Sequence, residues 1–312
     1  MNRLGLAILF GVGSGLLLPG CPFFFGDHSR RTDRLCDSSC QSDFRWTYCD
    51  APPRDTEEVI CSAACDGNPD DVVLVGELDG LTMATGWGGE LYPIALDELQ
   101  EIKGELVVYN GVGTLSIPNL QRVGGTICVE DSVLDGFELP SLTTVGGRVL
   151  AFNSSIMSVS GFRNLSATGE GVGFHGIEGL STLAGFEGLV SIDSEAYVSL
   201  AISRTAALEE LAVFSGLTTL RGLAFSENAL LSNLSGLESV EVLEEGLDIW
   251  GNPSLMSLVG LSGLRTVGGW IRIIDNPRLP TCKALALVDQ VGGEKPGLAV
   301  QIEGNDDAAT CP

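Results

Sequence analysis

Between residues 99 and 280 the apolar and polar positions repeat one phrase. A Leu is followed by two mostly polar residues, a mostly apolar residue, a glycine corner, and then apolar residues at alternate positions. The clearest copies are Leu120-Gln-Arg-Val-Gly-Gly-Thr-Ile-Cys-Val, Leu142-Thr-Thr-Val-Gly-Gly-Arg-Val-Leu-Ala and Leu264-Arg-Thr-Val-Gly-Gly-Trp-Ile-Arg-Ile. Copies begin at Leu99, Leu120, Leu142, Leu165, Leu189, Leu217, Leu237 and Leu264, spaced 20 to 28 residues apart. A period of this length marks a solenoid, whose turns bury their apolar faces only by stacking on their neighbours.

Within each copy the alternation predicts a strand with one buried face. The inward pairs are Leu106/Val108, Ile127/Val129, Val149/Ala151, Val172/Phe174, Ala196/Val198, Leu223/Phe225, Leu247/Ile249 and Ile271/Ile273. The Gly-Gly pairs at 124–125, 146–147 and 268–269 permit a corner that a Cβ would block. An Asn or Asp follows many of the strands, at Asn110, Asp131, Asn153, Asn228, Asn252 and Asn276. A buried amide at such a corner can satisfy backbone groups of the next coil, in a ladder up the stack. Leu255, Leu258 and Leu261 belong to a back wall. Strands one coil apart must run parallel, and eight or nine coils at ~4.8 Å each make a rod roughly 40 Å long.

The run Asp71-Val-Val-Leu-Val-Gly predicts the first strand of the array. After the array, Thr281 to Val291 reads as a short helix with Thr281 at its N-cap and Leu285, Val288 and Val291 toward the last coil. Leu298 to Asn305 reads as a final strand. A Cys282–Cys311 bridge would staple this cap, where a solenoid end otherwise exposes apolar surface and a free edge. The organisation is thus a signal over 1–20, a tether and cysteine-rich collar over 21–70, a solenoid over 71–281 and a cap over 282–312.

The repeated Leu-x-x-Val/Ile-x-Gly-x-Leu/Ile-x-Ile/Val-x-x-Asn, closed by Asn276-Pro277-x-Leu279-x-x-Cys282, resembles the receptor L-domain family over residues 71–312. The resemblance implies a mainly β, right-handed parallel β-helix with leucine-rich-repeat character. It also implies ligand or partner binding without catalysis.

The N-terminus adds an address. Asn2-Arg3 is a weakly positive start, Leu4 to Leu18 is apolar and too short to span a bilayer comfortably, and Leu18-Pro19-Gly20-Cys21 follows. The Leu-x-Gly-Cys ending resembles the lipobox of bacterial lipoproteins. That resemblance implies lipidation of Cys21, cleavage before it and, with Pro22 rather than Asp next, an outer-membrane or cell-surface location. The other reading is an ordinary signal with Cys21 as a disulfide partner.

Cys36, Cys40, Cys49, Cys61 and Cys65 then fall within 30 residues. In an exported chain such clusters are disulfides, although two C-x3-C pairs could also hold zinc through four thiolates. The segment has too few apolar residues to fold without staples. Five is odd, and with Cys282 paired to Cys311 the remaining partner by parity is Cys128.

The formal charge of −24 argues against nucleic acid and anionic lipid headgroups as partners. No cofactor or metal motif is present. His28 and His175 lack a Ser, Cys or metal partner at a diagnostic spacing, and Gly171-Val-Gly-Phe-His-Gly176 is followed by no helical pattern, so its glycines read as corners. Asp66-Gly-Asn-Pro-Asp-Asp71 reads as a turn rather than a Ca²⁺ loop.

Function is therefore expected on the outward side of the strands. Val107, Tyr109, Leu150 and Phe152 form one apolar patch there; Trp250, Trp270 and Ile274, with Arg272 among them, form another. Such patches bind partners or lie beneath the collar or a loop. The expected function is a noncatalytic, surface-anchored binding or scaffold lipoprotein for an unknown protein or glycan. The alternatives are a polysaccharide-processing β-helix enzyme, against which the wide separation of the outward acids Glu130 and Asp248 argues, and a purely structural envelope lipoprotein.

Overall fold

The computed structural model describes the backbone of residues 59–61, 76–78, 81–84 and 90–91, and residues 99–109, 111–194, 197–211, 214–292 and 297–311. The opening strand expected at Asp71, the acidic loop at 66–71, His28, and Cys21, Cys36, Cys40, Cys49 and Cys65 lie outside them. Of Cys61 only the backbone is described, in a strand Val59–Cys61 that pairs with Leu81–Ala84.

The chain is a parallel β-solenoid. Its long sheet contains Leu81–Ala84, Leu106–Tyr109, Ile127–Glu130, Arg148–Phe152, Gly171–His175, Leu200–Ser203, Thr219–Ser226, Val242–Trp250, Trp270–Ile274 and Ala299–Glu303 in that order, each parallel to the one before. All eight copies of the sequence phrase contribute a strand to it. A second sheet stacks the short strands Leu99–Ile102, Arg122–Val123, Thr144–Val145, Ala167–Thr168 and Ser191–Ile192, which carry the β-branched position before the glycines. In the coils of Thr219–Ser226 and Val242–Trp250 the two strands merge across a bulge between Leu220 and Gly222. A third sheet, with Val112–Ser116 and Val133–Glu138 at its centre, backs the first coils.

The core is one continuous column of Leu, Ile, Val and Phe running the length of the stack. Within it Phe162 stacks on Phe186 at a centroid separation of 5.1 Å and meets Phe137, tilted, at 5.0 Å. Seven of the eight expected inward pairs are buried. The exception is the coil of Leu189. Its inward pair is Leu200/Ile202, four residues later than Ala196/Val198, because the loop before the strand is four residues longer than in the preceding coils; of this loop residues 193–194 and 197–199 are described, and Ala196 is not. The copy placed at Leu237 is also displaced. Val240 N donates to Leu237 O as Leu264 N donates to Leu261 O, so Val240 occupies the first position and Leu237 belongs to the back wall.

The glycine pairs act by close approach. A Cβ on Gly146 would lie 2.0 Å from Gly124 O, and one on Gly268 would lie 1.9 Å from Glu244 O. Successive coils touch backbone to backbone at these corners. The left-handed conformation instead occupies the corner after each strand, at Asp131, Asn153, Gly176, Arg204, Glu227, Gly251, Asp275 and Gly304. The ladder predicted there runs one residue beyond Asp131 and Asn153 and has two parts, Ser132 to Ser154 and Thr205 through Asn228, Asn252 and Asn276 to Asn305, separated by the coil in which buried Ile177 takes the position. Asn110 lies outside the described residues.

The helix spans Thr281–Gln290 and packs on the last coil through Ala284, Leu287 and Val288. Leu285, expected inward, is 50 % exposed. Pro280 holds the N-cap position, while Thr281 Oγ1 donates to Asp307 Oδ1 at 2.5 Å. Cys282 and Cys311 are joined, with Cα atoms 6.0 Å apart.

Candidate binding face

Strand register fixes which side chains share the outward face. One row runs Val107, Cys128, Leu150, Gly173, Ala201, Ala224, Asp248, Arg272, Gln301. The next runs Tyr109, Glu130, Phe152, His175, Ser203, Ser226, Trp250, Ile274, Glu303.

The first expected patch is not open. Val107 and Cys128 are each 1 % exposed and form a small buried cluster outside the main core, against which Leu150 and Phe152 pack half-buried. The Tyr109 backbone pairs opposite Glu130, and its side chain lies outside the description. Cys128 is disulfide-bonded. Its partner is neither Cys282 nor Cys311, since those are joined to each other.

The second patch is open. Trp250 is 40 % exposed, Trp270 and Ile274 are half-buried, and Arg272 is exposed beside Asp248, with which it forms an ion pair. Trp270 lies against Gly246, where a Cβ would come within 2.3 Å of the indole ring. Tyr197, on the longer loop before Leu200, is 67 % exposed and faces Trp270 at a centroid separation of 6.2 Å. That loop crosses Gly222, where a Cβ would lie 2.3 Å from Tyr197 O, and Ser199 N donates to Gly222 O at 2.9 Å. Two glycines thus clear space for an aromatic wall.

Between this wall and the second row the outward residues are small, Gly173, Ala201 and Ala224 on three consecutive strands. Beside them stand His175, Ser203, Ser226 and Trp250. Flat aromatic faces beside hydroxyl and imidazole groups suit a ligand with both apolar and hydrogen-bonding surface.

His175 Nδ1 and Ser203 Oγ share a hydrogen bond of 2.7 Å, a partner that the sequence spacing does not disclose. They stand 28 residues apart but opposite each other on adjacent strands. Partial burial, and then the Arg204 guanidinium, hold the imidazole below its ordinary value of 6.5, with Glu227 pulling the other way. The ring is therefore neutral at pH 7 and able to accept a proton from the hydroxyl.

Charge on six arginines is locally cancelled. Arg122, Arg148, Arg204, Arg221, Arg265 and Arg272 each pair with an acid one coil away: Glu101, Glu170, Glu227, Glu245, Glu241 and Asp248. Glu130 and Asp248 lie five strand spacings apart, about 24 Å, far beyond the separation at which two carboxyls can flank one glycosidic bond. Among the described residues no group of His, Cys, Asp and Glu is arranged to hold a metal ion, and no helix is long and apolar enough to cross a membrane.

No protein-family model matches the chain, and no curated protein sequence matches it.

Proposed function

We propose that this chain is a surface-anchored, noncatalytic binding or scaffold lipoprotein that recognises protein or glycan through the outward face of its solenoid. The observation that carries the binding face is the exposure of Tyr197 and Trp250, with Trp270 against Tyr197, beside the small residues Ala201 and Ala224. Large aromatics left in water are the usual anchors of recognition. The lipid anchor rests on the Leu18-Pro19-Gly20-Cys21 ending. Glycan arrays and partner capture from intact cells, run with the full chain lacking its lipid, test the face. A specific ligand should be held by the native protein and lost with Tyr197→Ala plus Trp250→Ala. Blank arrays and captures, or binding unchanged in the double variant, would count against it. Fatty-acid labelling that persists in Cys21→Ser would remove the anchor.

The His175–Ser203 hydrogen bond favours a second reading, an ester-cleaving site. Ser203 Oγ would add to the carbonyl carbon as His175 takes its proton. The imidazolium would then protonate the departing alkoxide, and water would release the acyl group in the same way. Labelling by a fluorophosphonate that disappears in Ser203→Ala would support it; absence of labelling would leave the noncatalytic reading.

A further inference from the structure

The last strand of the long sheet, Ala299–Glu303, pairs with Trp270–Ile274 on one side, and among the described residues no strand lies on its other side. The pairing bonds show which groups face that open side. Ala299 N donates to Gly269 O, and Glu303 O accepts from Asp275 N, both at 2.9 Å. In a parallel ladder alternate residues serve one neighbour, so Ala299, Gln301 and Glu303 direct their backbone groups into the fold. Val300 and Ile302 therefore aim N–H and C=O outward along the sheet. Val300 stands opposite Ile271 on the core side, yet it is 42 % exposed. Sheets usually guard such an edge with Lys, Pro or a bulge, and residues 299–303 contain none of these.

We propose that this edge is a self-association site, at which two copies of the chain pair antiparallel through residues 299–303 about a two-fold axis at Gln301. The choice of a second copy follows from the strand's self-complementarity. In that register Val300 lies opposite Ile302 of the second copy. These are the two residues whose backbone groups are unused, so the symmetric pairs exchange four N–H···O=C bonds. Residues directly opposite point to the same face, so Val300 and Ile302 remain on the core side. The two hydrophobic columns then become continuous, and the exposed part of Val300 is covered. Glu303 falls opposite Ala299, so no like charges meet directly, whereas an axis at Glu303 would set acid against acid. The result is an isologous dimer with one sheet running through both copies. The charge of −24 on each copy opposes association. Because salt screens that repulsion within ~8 Å at physiological strength, pairing should tighten as salt rises.

Sedimentation equilibrium of the full chain tests this. A concentration-dependent species of twice the monomer mass, favoured by salt, is expected. Val300→Pro removes an N–H that no strand among the described residues uses, so the melting temperature should hold while self-association weakens about tenfold or more. Gln301 meets its own copy at the closer, non-bonded spacing of ~4.5 Å between Cα atoms, within disulfide reach. Gln301→Cys should therefore oxidise to a covalent dimer. A chain that stays monomeric at high concentration overturns the proposal, as does a folded Val300→Pro that dimerises undiminished. If the proline variant fails to fold, absence of the Gln301→Cys cross-link overturns it instead.

Discussion

Asn252 Oδ1 accepts two hydrogen bonds from Asn228, one from its backbone N and one from Nδ2, each at 3.0 Å. Asn252 Nδ2 in turn donates to Phe225 O at 2.9 Å and to Asn276 Oδ1 at 3.1 Å. Both asparagines are fully buried. Removing the Asn252 amide strands donors and acceptors on three coils, at ~1–3 kcal/mol for each buried group left unpaired. Asn252→Ala should thus lower unfolding free energy by about 3–5 kcal/mol in urea titrations, whereas Asn233→Ala, whose amide bonds locally to Ser232 and Ser235, should cost under ~1 kcal/mol.

The glycines should divide by what their Cβ would meet. At Gly146 it would strike a backbone oxygen 2.0 Å away, so the coils must separate. At Gly173, within a strand, it would meet Leu150 Cδ2 at 2.9 Å, a side chain that can turn aside, and the next atom, Ala201 O, lies at an ordinary 3.9 Å. Gly146→Ala should cost about 3 kcal/mol or more, or leave no folded product, while Gly173→Ala stays within about 1 kcal/mol. Thermal melts of the two variants, side by side, decide the matter.

His175 makes stability fall on the acid side. Its folded-state value lies below 6.5, so the unfolded chain binds more protons there and unfolding free energy rises with pH across that interval. Stability from this group is complete above about pH 6.5 and declines below it, as the unfolded imidazole charges first. His175→Gln cannot titrate, so its urea midpoint should fall less between pH 7 and pH 5 than that of the native chain.

The Cys282–Cys311 bridge closes a loop with a sequence separation of 29. Loop entropy of that length corresponds to roughly 3–4 kcal/mol. Cys282→Ser with Cys311→Ser should lower the melting temperature, and hydrogen exchange should speed first in residues 281–290 and 299–303, which the bridge ties to the last coil.

Cys128 carries a disulfide whose partner is not among the cysteines with described side chains. Non-reducing peptide mapping should recover its peptide linked to one containing Cys36, Cys40, Cys49, Cys61 or Cys65. A free Cys128 thiol would contradict this.

The architecture was legible because burial repeats with the chain's own period. Leu120, Leu142 and Leu264 each precede a β-branched residue, a glycine pair and an alternating strand, and local pattern alone fixes what such a unit must stack upon. Register failed at Leu200/Ile202, where four more residues precede the strand and Ala196 and Val198 within them alternate as an inward pair would. The ladder was misplaced at Asp131 and Asn153 because Asn and Asp suit both a left-handed corner and a buried amide; only coordinates separate Asn153 from Ser154. The open patch at Trp250 and Trp270 was visible as outward aromatics. Burial of Val107 depends on tertiary cover, which no local alternation records. His175 and Ser203 meet only through pairing between coils, so their sequence spacing carries no signature.

Every described ladder is parallel and joins a strand to its neighbour about one coil along the chain. Pulled from its two ends, such a stack has no crossing strand to share the load. It should peel one rung at a time, each step releasing about 21–28 residues, or roughly 70–100 Å of extended chain. A force-extension trace would then show a regular sawtooth whose spacing reads out the length of each coil.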